Sequence, residues 1–190
     1  NIFFSTLINP LLIEDKKDLN FEAANYFNNF GYNDLSETFY KNIYKVLPGE
    51  LLVFKDKKII KKKFLKFNFI KNVSNDFLRE KIENIIKKQT IADVPISLSL
   101  SGGIDSNILL SNINKNLSTY NISYEYMKNK SLDSIFAAKR AKEFDTNHTE
   151  IKVSDDDFFD SLEIINNLLE EPIGNENMVG NYFLSKNIKE

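Results

Sequence analysis

The chain has 190 residues, enough for one domain or one and a half and enough to bury a real core. It is 42% hydrophobic and 27% charged, an ordinary globular balance, and a net charge of −2 gives no electrostatic reason to expect nucleic acid or an anionic membrane as partner. Without cysteine, disulfides, thiolate metal sites and a cysteine nucleophile are excluded within these residues, and a single histidine, His148, excludes a histidine-rich metal site.

No apolar run reaches transmembrane length and the first residues do not resemble a signal peptide, so a cytoplasmic location is expected. Residues 2–12 form an apolar patch broken by Pro10, read as a strand end and a short turn. Asn20 is placed to cap a short helix over 21–30, which Gly31 ends. A strand is expected at 51–54, a turn at Asp56-Lys57-Lys58, and a returning strand at 59–64. Lys61, Lys62 and Lys63 then fall on a hairpin edge, where lysines discourage further strand pairing; this reading is preferred to a nucleic-acid patch.

Composition shifts over 66–75, which places a boundary near residue 70. Beyond it helix and strand patterns alternate, the mark of an α/β fold with a parallel sheet. Phe77, Leu78, Ile82, Ile85 and Ile86 recur at helical spacing and are expected to form one buried face. Asp93-Val94-Pro95 ends that helix before a strand over 96–100, and Ile108, Leu109 and Ile113 mark a helix after the turn that follows. A strand is read at 120–124 and a helix through Leu132, Ile135, Phe136 and Phe144, with Asp133 near its start. After a third strand at 148–153, Ser154 and Asp157 have capping-box spacing for a helix whose Phe158, Leu162, Ile165 and Leu169 share a face. Glu170-Glu171-Pro172 stops it, and Met178, Tyr182 and Phe183 open another.

The stretch with the clearest chemistry is Leu100-Ser101-Gly102-Gly103-Ile104-Asp105-Ser106, between an apolar strand and a helix start. Glycines let the backbone curl so that successive N–H groups face one anion, and the helix adds its own unpaired N–H groups and positive dipole end. In open parallel sheets, ligands bind outside the carboxyl ends of strands, where this loop lies. It is neither a Walker A loop, lacking the G-K-[ST] ending, nor a G-x-G-x-x-G turn. Asp105 cannot assist an anion directly and is read as acting through Mg²⁺. Elsewhere the bland readings lead. His148 is taken as a packed or surface residue, and Asp155, Asp156 and Asp157 as a helix start favoured by the dipole. Glu170 and Glu171 are read either as helix-end carboxylates or, for Glu171, as lining an acceptor site.

This loop resembles the S-G-G-x-D-S pyrophosphate loop of the ATP pyrophosphatase superfamily, and within it the glutamine-dependent asparagine synthetases resemble more of the chain. Asp93-Val94-Pro95-Ile96 is similar to their D-V-P-[IV] run, and Leu47-Pro48-Gly49-Glu50 to L-P-P-G-H, with Leu47 for the first Pro and Glu50 for His. Residues 3–7 are similar to F-A-S-E-I and Gly31-Tyr32 to F-G-Y. Residues 146–151 are similar to G-T-x-H-H-E-V, and the run from Glu171-Pro172-Ile173 to Tyr182-Phe183-Leu184-Ser185 to E-P-I-…-Y-L-L-S.

The resemblance implies residues 1–70 as the C-terminal part of an N-terminal glutaminase (Ntn-type) β-sandwich. It implies residues 71–190 as the front of a parallel-sheet ATP-pyrophosphatase synthetase domain. It also implies the chemistry: aspartate and ATP give β-aspartyl-AMP and pyrophosphate, and ammonia from glutamine displaces AMP. Leu100, Ser101, Gly102, Gly103, Ile104, Asp105 and Ser106 would hold ATP, with Ser101, Asp105 and Ser106 in the catalytic set and Asp105 reaching Mg²⁺. Ile122 would lie against adenine, next to Ser123 where the family usually has Gly. Small-molecule partners would be aspartate and glutamine, with no nucleic acid and no membrane, and a homodimer is the assembly considered. The family's Cys nucleophile would lie upstream of Asn1 and its S-G-E-G-x-D loop downstream of Glu190, so an internal fragment, inactive alone, is expected. The competing readings are a same-frame amidotransferase for another carboxylate, β-lactam synthetase-like or acting on a sugar or peptide acid, and a non-catalytic nucleotide-binding module.

Overall fold

In a computed structural model describing residues 2–12, 18–33, 36–66, 69, 72–113, 117–126, 131–175 and 177–189, the first helix is set by its ends. Helix α1 (Phe21–Phe30) starts where the Asn20 side chain accepts the N–H groups of Glu22 and Ala23. It stops where Gly31 takes a left-handed φ of 74°, the backbone state glycine adopts without a Cβ penalty. Before it, Asn9–Leu11 form a single 3₁₀ turn with Pro10 in its first positions. Among the described residues 2–12 the expected strand end is absent, because a proline in this run favours a turn start and cannot donate to a ladder.

Strands β1 (Glu50–Lys55) and β2 (Lys58–Phe64) pair antiparallel, Glu50 opposite Phe64 and Lys55 opposite Lys58. Asp56 and Lys57 turn the chain with φ of 50° and 60°, the left-handed pair that a two-residue hairpin turn demands. One lysine of β2 is paired from across the ladder, for Lys62 Nζ lies 2.7 Å from Glu50 Oε1.

The chain divides into two compact units, Asn1–Phe69 with Ile164–Glu176, and Ile70–Glu163 with Asn177–Glu190. The second unit opens with α2 (Asn75–Gln89), capped by Ser74 accepting from Phe77 N–H and carrying Lys87 and Lys88 at its negative dipole end. Its apolar stripe is real but is not the buried face expected. Ile86 alone of the five is buried, while Phe77, Leu78, Ile82 and Ile85 stay 38–52% exposed. Periodicity shows that a helix has an apolar side; it does not supply the surface that covers it.

The sheet is β3 (Ser97–Ser99), β4 (Ser118–Tyr124) and β5 (Asn147–Val153), all parallel and in that order. Helix α3 (Ile104–Asn112) links the first pair and α4 (Leu132–Glu143) the second, as parallel pairing requires. Leu98, Leu100, Leu110, Leu117, Ala137 and Ala141 form the core against these helices, with Ile96, Leu109 and Ile113 packed around it. Helices α5 (Asp155–Leu168) and α6 (Asn177–Lys189) follow. The capping box at α5 forms as its spacing predicts: Asp157 N–H donates to Ser154 Oγ at 3.0 Å and Ser154 Oγ donates to the Asp157 carboxylate at 2.6 Å. The result is a mixed α/β fold with a parallel three-stranded sheet, and among the described residues no helix is long and apolar enough to cross a membrane.

Candidate functional site

The loop grows directly out of the core. Leu100 N–H donates to Tyr120 O at 2.7 Å and the Leu100 side chain is buried, so the last residue before the turn is anchored in both backbone and side chain. Ser101, Gly102 and Gly103 then turn the chain at the carboxyl end of β3, and α3 begins at Ile104. Gly103 stands at the N-cap with no side chain to offer, which leaves the first N–H groups of α3 to be met from outside the helix.

Ser106 ties the turn together from below. Its hydroxyl lies within 3.0–3.2 Å of Ser101 O, Gly103 O, Ser101 Oγ and Ser101 N, and the residue is 9% exposed. Gly103 N–H donates to Ser101 Oγ at 3.1 Å, and Asn107 Nδ2 donates to Gly103 O at 2.6 Å. Both loop hydroxyls are thus engaged with the loop itself. Asp105, in the first turn of α3, is exposed, and Ile104 is 75% exposed.

Gly102 packs tightly against α4, so a side chain there would force its neighbours to shift. A Cβ there would lie 2.9 Å from Asp133 Oδ1, 3.1 Å from Phe136 Cβ and 3.3 Å from Asp133 Cα, all in the first turns of α4. Asp133 and Phe136 were not among the residues expected at the site. Their proximity is tertiary, and no local sequence signal announces it.

Ile122 lies on β4, which runs on to Tyr124 beyond its last pair with β3 at Tyr120. It faces the side of the sheet away from Asn121, and its Cγ1 is 3.7 Å from where a Cβ on Gly180 of α6 would stand. Tyr124 Oη is closer still, at 3.0 Å, so Gly180 lets α6 approach this strand. The structure therefore joins Ser101, Gly103 and Ser106 by hydrogen bonds, puts Leu100 in the core, and sets Ile122 on the α6 side.

His148 is a packed residue, as the bland reading holds. It lies beside Thr119 within the sheet, level with Leu98, its Nδ1 2.9 Å from Thr119 Oγ1 and its Nε2 buried without a partner. Burial holds its pKa below the usual histidine value, partly offset by Glu150. Glu170 and Glu171 have specific work, and it lies inside the first unit. Glu170 accepts Ile8 N–H at 2.6 Å and Asn9 N–H at 3.0 Å, one on each oxygen. Glu171 accepts Phe39 N–H at 2.7 Å and lies 3.6 Å from Lys45 Nζ. Among the described residues no group of three or more His, Asp and Glu side chains is placed to hold a metal by itself.

Residues 77–190 match the asparagine synthase family model, a span that includes the whole loop, the sheet and α6. The chain belongs to the asparagine synthase family. No curated protein matches it. The resemblance read from Ser101-Gly102-Gly103 and its neighbours is borne out at the level of the family, and with it an ATP-dependent, amidotransferase-like synthetase domain of carbon–nitrogen ligase class.

Proposed function

We propose that residues 71–190 form the front of the synthetase domain of a glutamine-dependent asparagine synthetase, and that residues 1–70 are the end of its glutaminase domain. The observation that carries this reading is the uncapped α3 N-terminus behind a Gly-Gly turn, with Asp105 exposed beside it. Gly102 and Gly103 amides and the first amides of α3 receive the β- and γ-phosphates of ATP. Ser101 Oγ, bonded to Gly103 N–H in the structure, turns to donate to a phosphate oxygen and frees that amide for the same anion. Ser106 keeps the turn closed, and Ile122 offers adenine a branched apolar wall.

Mg²⁺ fits the donor set. Asp105 is exposed at the loop and Asp133 lies against Gly102, two carboxylates beside a proposed anion site. Mg²⁺ commonly takes one or two carboxylates and fills its shell with phosphate and water. Asp105 would hold it, and the ion would neutralise charge developing on the phosphates. The aspartate β-carboxylate oxygen bonds to the α-phosphorus as the bond to the bridging oxygen breaks, releasing pyrophosphate. Ammonia from glutamine then attacks the acyl carbon of β-aspartyl-AMP, loses a proton, and AMP departs with the C–O electron pair.

The test uses the full-length protein that carries this chain. ATP-dependent pyrophosphate release is expected to require aspartate, and Asp105→Asn is expected to reduce synthesis by about a hundredfold or more while glutaminase activity persists. Release with another carboxylate and none with aspartate would replace the acceptor. Equal loss of both activities in Asp105→Asn would refute the division of labour.

A further inference from the structure

Three polar side chains lie between the central strand and α4. Asn121 on β4 is 5% exposed, and its Nδ2 donates to Ser134 Oγ at 2.8 Å. Ser134 is 3% exposed; its hydroxyl is 3.1 Å from the Oγ of Ser131, the α4 N-cap, which also accepts Ser134 N–H at 3.2 Å. The Asn121 carbonyl oxygen is buried with no partner.

This arrangement is a poor way to gain stability. An amide and a hydroxyl are removed from water for one bond between them and the hydroxyl's contact with Ser131, and the orphan acceptor adds a cost of its own. Apolar residues of the same shape would do as well or better. What a directional bond between strand and helix supplies is register, since only one rotation and height of α4 puts Ser134 Oγ within reach of Asn121.

That register has a consequence one residue away. With Ser134 held against β4, Asp133 and, one turn on, Phe136 meet the loop at Gly102, so closely that a Cβ there would push the Asp133 carboxylate aside and crowd the α4 backbone. The loop is thus braced on one side by the Ser106 hydroxyl and on the other by the first turns of α4. We propose that Asn121 and Ser134 are positioning residues for nucleotide binding, holding α4 at the height at which it seats Gly102 and its amides. The proposal rests on the reading of this loop as the ATP-phosphate site.

The experiment compares wild-type protein with Asn121→Leu/Ser134→Ala, which removes both partners and leaves neither orphaned. Thermal unfolding is expected to be unchanged or raised. KM for ATP is expected to rise by about tenfold, as small misplacements of binding groups do, while KM for the carboxylate acceptor stays within about twofold. Gly102→Ala alone should also raise KM for ATP. Added to the double variant it should cost several-fold less, because both changes act through the same helix position. An unchanged KM for ATP in the folded variant, or equal rises for both substrates, would overturn the proposal, as would strict additivity with Gly102→Ala. If the double variant does not fold, Ser134→Ala read by the same pair of KM values decides. A wild-type protein with no ATP-dependent pyrophosphate release would remove the nucleotide reading and this proposal with it.

Discussion

Ser106 shows how one hydroxyl can define a turn. A single oxygen with one proton lies within hydrogen-bonding distance of four loop atoms, from Ser101 N to Gly103 O, in a place with little access to water. Ser106→Ala would strand Ser101 N–H and remove the strut between the two ends of the turn. A loss of about 1–3 kcal/mol is expected from the unsatisfied groups, together with weaker pyrophosphate binding, checked by denaturant unfolding and titration calorimetry. Ser106→Thr keeps the hydroxyl and should recover most of both. At Ser101 the order reverses. Its Oγ bonds Gly103 N–H near the loop surface, so Ser101→Ala should leave stability within about 0.5 kcal/mol and act mainly on binding.

Among the elements, the hairpin and α2 mark what a sequence can and cannot announce. Lys62 and Lys63 of β2 lie on an exposed hairpin edge, as the pattern predicts, and one of them, Lys62, is also paired with Glu50, the residue that stands where the resembling family has His. The Lys62 ammonium beside it and the Leu47 N–H hold the Glu50 carboxyl below its usual value of 4.5, against an opposing push from burial. A carboxyl lowered in the folded state contributes stability that is fully present above the unfolded value and is lost as pH falls through the folded one. Glu50→Gln should therefore lower the thermal midpoint at neutral pH and flatten its fall in acid. A wild-type-like acid limb in that variant would contradict the pairing. Caps were legible because they are local: Asn20, Gly31 and the Ser154–Asp157 box each act within a few residues of themselves. Lys62 with Glu50, Asn121 with Ser134, and Asp133 over Gly102 join elements that only the fold brings together. The α2 stripe was legible as a stripe, but its cover was not, since periodicity carries no information about a partner surface.

For the whole molecule the telling feature is the path of the chain. Residues 164–176 fall within the family match, yet they cluster with residues 1–69 rather than with the sheet that binds the loop. What holds them there is two consecutive carboxylates that reach different segments. Glu170 takes the N–H groups of Ile8 and Asn9, one per oxygen, and Glu171 takes Phe39 N–H with Lys45 close by. Gly174 extends the contact, for a Cβ on it would strike the backbone of Gly31. Two donors on two oxygens make a demand that glutamine cannot meet, because its amide has one acceptor and would turn an N–H group toward an N–H group. Glu170→Gln is thus expected to cost nearly as much as Glu170→Ala, about 1–3 kcal/mol, where a merely electrostatic role would cost less in a partly exposed setting. Amide hydrogen exchange locates the effect. Ile8 and Asn9 should lose protection in the Glu170 variants, and Phe39 in Glu171→Gln only if that variant's single remaining oxygen turns to Lys45. Amides of β4 and β5 in the second unit should keep theirs. Faster exchange throughout the sheet would show that the two glutamates support the whole chain, and unchanged exchange at Ile8 and Asn9 would show that the contact carries no weight.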